Sequence, residues 1–144
     1  PTGMNPGTNL TWAISANVSI VKAGGGTITW SCNRTKELTN TSDTLCYRGQ
    51  NRAINWSMAK VKLNGSASGT NAQGETYTSV ATDLVRDFTC SPSALHPHRH
   101  PFISGTIAYT PGSRHSRLIN YGSGTCDLAA TVTINGNVYN ITLQ

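Results

Sequence analysis

A chain of 144 residues fits one domain with one core. Charged residues are 12% of it and the net charge is +5, with eleven Lys and Arg scattered from Lys22 to Arg117, which argues against the clustered basic face of a nucleic-acid binder. Ser, Thr, Asn and Gly fill much of the rest, and three tryptophans with β-branched runs exclude a disordered chain and favour strands over helices.

Residues 1–9 read as an unstructured lead-in and 10–144 as a single β domain. Period-two alternation opens at Leu10, Trp12, Ile14, Ala16, Val18 and Ile20, an apolar face set against Thr11, Ser15, Asn17 and Ser19. Gly24-Gly25-Gly26 turns the chain, and Ile28, Trp30 and Cys32 resume the apolar face. Residues 39–51 form a polar loop. A third strand is expected from Arg52 to Thr70, a turn at Asn71-Ala72-Gln73-Gly74, and a fourth strand from Glu75 to about Val85.

Three prolines and three histidines between Ser91 and Pro101 exclude a strand there. Phe102 to Thr110, the turn Pro111-Gly112-Ser113, and Arg114 to Tyr121 make a hairpin. Gly122-Ser123-Gly124 leads into Leu128, Ala130, Val132 and Ile134, and Asn135-Gly136 is a strong hairpin turn before Val138 to Leu143. The expected fold is all-β: an antiparallel, meander-rich β-sandwich or flattened barrel of about eight strands, with no helix longer than a turn. Trp12 and Trp30 share the apolar phase and are expected in the core, although Trp12, Trp30 and Trp56 also suit stacking on sugar rings.

Cys32, Cys46, Cys90 and Cys126 lack the paired spacing of a zinc site. Two disulfides in an oxidising compartment are expected, with three connectivities open. Cys32–Cys46 and Cys90–Cys126 are favoured, because each pair brackets a hairpin-sized or two-hairpin segment. Among local clusters, His96-Pro97-His98-Arg99-His100 is the sharpest metal candidate, with His115 as a conceivable fourth ligand. Arg99 inside the cluster and the lack of a nearby carboxylate favour a solvated loop instead. The turn from Asn120 to Asp127 offers one carboxylate, too few for calcium, and reads as a tight glycine turn. The Asn-x-Ser/Thr triplets at Asn9, Asn17, Asn33, Asn40, Asn55, Asn64 and Asn140 follow from composition, and Asp43-Thr44-Leu45 is a weak O-glycosylation signal.

Gly65 to Gly74, Arg86-Asp87-Phe88-Thr89-Cys90, Ser104-Gly105-Thr106-Ile107, Tyr121 to Asp127 and Ala130 to Gly136 follow in order. In this the stretch from Leu63 to Leu143 resembles a family of Bacteroidetes cell-envelope lipoproteins of uncharacterised function. The resemblance implies export, anchoring at the envelope by a segment outside this chain, and a Cys90–Cys126 bridge. It implies no activity, and Cys32, Cys46 and the His-rich loop fall outside its pattern.

No nucleophile elbow, HExxH or P-loop is present, and six acids in six separate segments show no evident glycosidase pair. No catalytic residue and no cofactor are expected. The sequence favours a non-enzymatic surface domain of an envelope lipoprotein serving adhesion, assembly or ligand capture, at the outer membrane, cell surface or periplasm. Its partner would be another envelope protein or a glycan, with no nucleic acid. The alternative is a metal- or small-ligand-binding periplasmic module using His96, His98 and His100. A glycan-directed enzyme with dispersed carboxylates is a third, weaker reading.

Overall fold

The computed structural model describes residues 9–41, 47–48, 53–91 and 101–143. Its strands are β1 (Leu10–Val21), β2 (Thr27–Leu38), β3 (Tyr47–Arg48), β4 (Ala53–Ile54), β5 (Lys60–Thr70), β6 (Thr76–Asp87), β7 (Phe102–Pro111), β8 (Arg117–Ser123), β9 (Ala129–Ile134) and β10 (Asn137–Thr142). Eight of them form one antiparallel sheet in the order β1-β2-β5-β6-β7-β8-β9-β10, and β3 pairs with β4 as a separate ribbon. The expected all-β meander is therefore present as a single open sheet. It does not close into a barrel, since β1 and β10 are not neighbours.

Turn chemistry sets the register. Asn135 (φ 51°) and Gly136 (φ 78°) both adopt the left-handed conformation a two-residue hairpin requires, joining Ile134 to Asn137. The Asn71 side chain accepts from the Gln73 and Glu75 amides and so closes the β5–β6 turn. A bulge bends the middle of the sheet where Asp83 takes φ 47° opposite Asn64, whose side chain accepts from the Asp83 amide. Next to it β7 passes so closely that a Cβ on Gly105 would lie 2.2 Å from the Asp83 carbonyl oxygen.

The third strand begins at Lys60 rather than Arg52. Trp56–Met58 forms a 3-10 turn, with the Met58 amide bonded to the Asn55 carbonyl and the Ser57 hydroxyl to the Asn55 side chain. Those local bonds compete with a ladder. Asn40 stitches the turn to the sheet by donating to the Met58 carbonyl and accepting from the Lys60 amide.

Register carries each face across the sheet. Ile14, Arg34, Gly65 and Ala81 are successive partners, and Ala81, Ile107, Ile119, Val132 and Tyr139 continue the row, so one face is mainly apolar. The other carries Ser19, Thr29, Thr70 and Thr76 at one end and Thr106, Asn120, Thr131 and Asn140 at the other, interrupted by Val80 and Leu118. Burial is concentrated where the segment after β4 folds against the apolar face. There Leu38, Ala59 and Val61 are buried, with Leu10, Ile54 and Phe88 packed on them. Away from that corner the large side chains of β1 are open on this face: Trp12, Ile14, Val18 and Ile20 are all exposed. Trp12 is thus not a core residue, because no second sheet covers it among the described residues; it packs at 6.1 Å against Trp56.

Cys90 and Cys126 form a disulfide, tying the loop before β9 to the end of β6. Cys32 is a buried thiol with no disulfide partner among the described residues; Cys46, and with it the expected Cys32–Cys46 bridge, lies outside them. Cys32 shares the apolar face with Ala16 and Ala67, its register partners, and fills space between small side chains there.

Candidate functional site

Charge is segregated between the two faces. The strand-borne acids lie on the Thr-rich side, where Lys60 meets Asp87 at 2.9 Å and Lys62 meets Glu37 at 2.8 Å, each directly across the ladder. Lys62 and then Asn9 hold the Glu37 carboxyl below its ordinary range. Burial pushes the Asp87 carboxyl up, but the Thr89 hydroxyl and amide and the Lys60 ammonium outweigh it and hold it below its ordinary range. The apolar face instead carries Arg34, Lys36, Arg86 and Arg117, and no strand residue on it is acidic.

Three of those cations converge. Arg34 and Lys36 are two apart on β2 and therefore project to the same side. Leu63 opposite Lys36 and its neighbour Val61 form the floor on β5, and Arg86 comes from β6 as the partner of Val61. They line a groove of about 440 Å³ with Trp56 and Phe102, inside the roughly 300–1,000 Å³ span of small-ligand sites. Arg34 lies over the Trp30 ring, 5.2 Å from its centroid, and Arg86 over the Phe102 ring at 4.6 Å. Phe102 in turn meets Tyr121 edge-on at 5.3 Å. Burial there pushes the Tyr121 phenol above its ordinary value, against the opposing pull of Arg86. The Arg86 Nε is shut off from solvent and has no acceptor among the described residues.

His96, His98 and His100 lie outside the described residues, as does Asp43-Thr44-Leu45. His115 is exposed in the β7–β8 loop, and the described residues hold no group of three His, Cys, Asp or Glu able to bind a metal. The Asn120–Asp127 turn has the closed form expected of it. The Asn120 side chain accepts from the Gly122 amide and Asp127 Oδ1 from the Ala129 amide, which ties both side chains to the local backbone. A second hollow of about 450 Å³ beside it is lined by Thr125, Thr131 and Asn140, with Asp127 the one acid among its described lining residues.

Scattered in sequence, the basic residues gave no sign of the groove. The legible hint was the Trp30-x-x-x-Arg34-x-Lys36 spacing, which alternation places on one face of one strand. Comparison with family models, curated proteins and solved structures finds no match to this chain.

Proposed function

We propose that this chain is a non-enzymatic recognition domain of an envelope lipoprotein, acting in adhesion, assembly or ligand capture and held at the envelope by an anchor outside it. The observation that carries this reading is the broad open sheet with two chemically opposite faces, one Thr-rich and internally ion-paired, the other apolar with cations that have no acid partner among the described residues. A rigid surface of that kind suits recognition.

The Cys90–Cys126 disulfide fits an extracytoplasmic domain. The five described carboxylates support a non-enzymatic role, because each is engaged in holding the fold. Glu37 and Asp87 are ion-paired, Glu75 accepts from Asn71 and Ser113, Asp83 from Asn64, and Asp127 from the Ala129 amide. The lipoprotein assignment rests on the motifs between Leu63 and Leu143.

The test is to follow the full-length gene product in its native cells by radiolabelled palmitate incorporation and membrane fractionation. A palmitate-labelled, envelope-associated protein with oxidised Cys90 and Cys126 is expected. An unlabelled cytosolic protein with both cysteines reduced overturns the reading.

A further inference from the structure

We propose that the groove formed by β2, β5, β6 and β7 binds an acidic polysaccharide, a chain of sugar rings bearing carboxylate or sulfate groups. This rests on the recognition reading above and names its ligand.

Arg34, Lys36 and Arg86 line one cavity of about 440 Å³ with no carboxylate among its described lining residues. Like charges gathered on an apolar face repel one another, and an incoming anion relieves that repulsion. The same sheet shows how it neutralises cations when it does so internally: Lys60 and Lys62 each have an acid directly opposite. On the groove face the corresponding partners are Val61, Leu63 and Gly65, which supply none. Arg86 adds a second observation: its Nε is shut off from solvent and its guanidinium lies over the Phe102 ring, so the charge it brings to the groove is fixed in place before any anion arrives.

The aromatic residues choose the carrier of that anion. Trp56 is 48% exposed at the groove and packs at a tilt against Trp12, which is 36% exposed, so an indole pair leads from the groove towards β1. Exposed indoles beside cations suit a ligand with flat apolar ring faces and charged substituents. A peptide fits less well. The groove floor is the middle of a sheet whose strands are paired on both sides, leaving no ladder amides to satisfy a peptide backbone. The disulfide-forming compartment disfavours a nucleic acid.

The test is titration calorimetry of the purified 144-residue chain with a galacturonic acid tetramer and a sulfated heparin-type tetramer. The methyl-esterified galacturonate tetramer, polyglutamate and an oligothymidylate serve as comparators. Binding of either acidic tetramer is expected, the one that binds identifying the anion, with at least tenfold weaker binding of all three comparators. Arg34→Gln, Arg86→Gln and Trp56→Ala each lose tenfold or more. Arg117→Gln, on the same face but beside Glu75 in a different hollow, leaves binding unchanged. Lys36→Gln, on an exposed side chain, repeats the loss should Arg86→Gln fail to fold. Failure of both acidic tetramers overturns the proposal while leaving the envelope assignment standing. Equal binding of polyglutamate or oligothymidylate, or equal losses from Arg117→Gln and Arg34→Gln, also overturns it by showing diffuse charge attraction.

Discussion

Lys60 and Asp87 face each other across β5 and β6 with the ammonium 2.9 Å from the carboxylate, and Asp87 also accepts from the Thr89 amide and hydroxyl. The pair locks the end of the sheet beside the buried corner, where the Phe88 amide donates to the Ala59 carbonyl.

Because its pKa is depressed on folding, Asp87 contributes stability that is present above the unfolded carboxyl value of about 3.9 and is lost as pH falls through the lower folded value. Urea melts below about pH 4 should show that loss in the wild type. Asp87→Asn should cost about 1–3 kcal/mol at pH 7 and flatten the acid limb. An unchanged acid limb in Asp87→Asn would assign the acid sensitivity elsewhere.

The cysteine chemistry divides cleanly. Cys90→Ser with Cys126→Ser removes a bridge spanning 36 residues and should cost about 4 kcal/mol in the chain-entropy account. Cys32 is 3% exposed, so Ellman's reagent should reach it only after denaturation. Peptide mapping that finds Cys32 bridged in the native protein refutes its assignment as a thiol.

Two glycines with positive φ separate conformational strain from collision. At Gly74 (φ 80°) a Cβ meets nothing within 4 Å, so Gly74→Ala should cost only about 1–2 kcal/mol of left-handed strain. At Gly105 (φ 92°) the same Cβ collides with the Asp83 carbonyl, and Gly105→Ala should cost more, about 2–4 kcal/mol. Thermal melts of the two variants side by side decide it; equal shifts would remove the close approach of β7 to the bulge.

What the sequence displayed was local. Asn135-Gly136, the Asn71 turn and the strict alternation of β1 and β2 each follow from neighbouring residues, and they placed most of the strands. Missed were the features made by distant residues. Alternation in β1 states that Trp12, Ile14 and Val18 share a face, but is silent on whether anything packs against it. The groove needs Arg34, Leu63 and Arg86 from three strands, and only the register joins them. The 3-10 turn at Trp56 escaped notice because Asn55 and Ser57 bond each other rather than a neighbouring strand.

The open apolar face makes the sharpest demand on stability. In a two-sheet sandwich Ile14 and Leu38 would both lie between layers, and truncating either would cost about 2–5 kcal/mol. In the single sheet their fates differ. Leu38 is 0% exposed against Ala59 and Val61, whereas Ile14 is 38% exposed on the edge strand. Leu38→Ala should therefore cost about 2–5 kcal/mol, from lost transfer energy plus a cavity. Ile14→Ala should cost under about 1 kcal/mol, since much of the side chain is already in water and no cavity forms. Chemical denaturation of both variants at low protein concentration measures the difference. A large loss for Ile14→Ala at every concentration would mean that another part of the chain covers β1. A loss that appears only as the wild type is concentrated would mean that a second copy covers it, since only association makes stability depend on concentration.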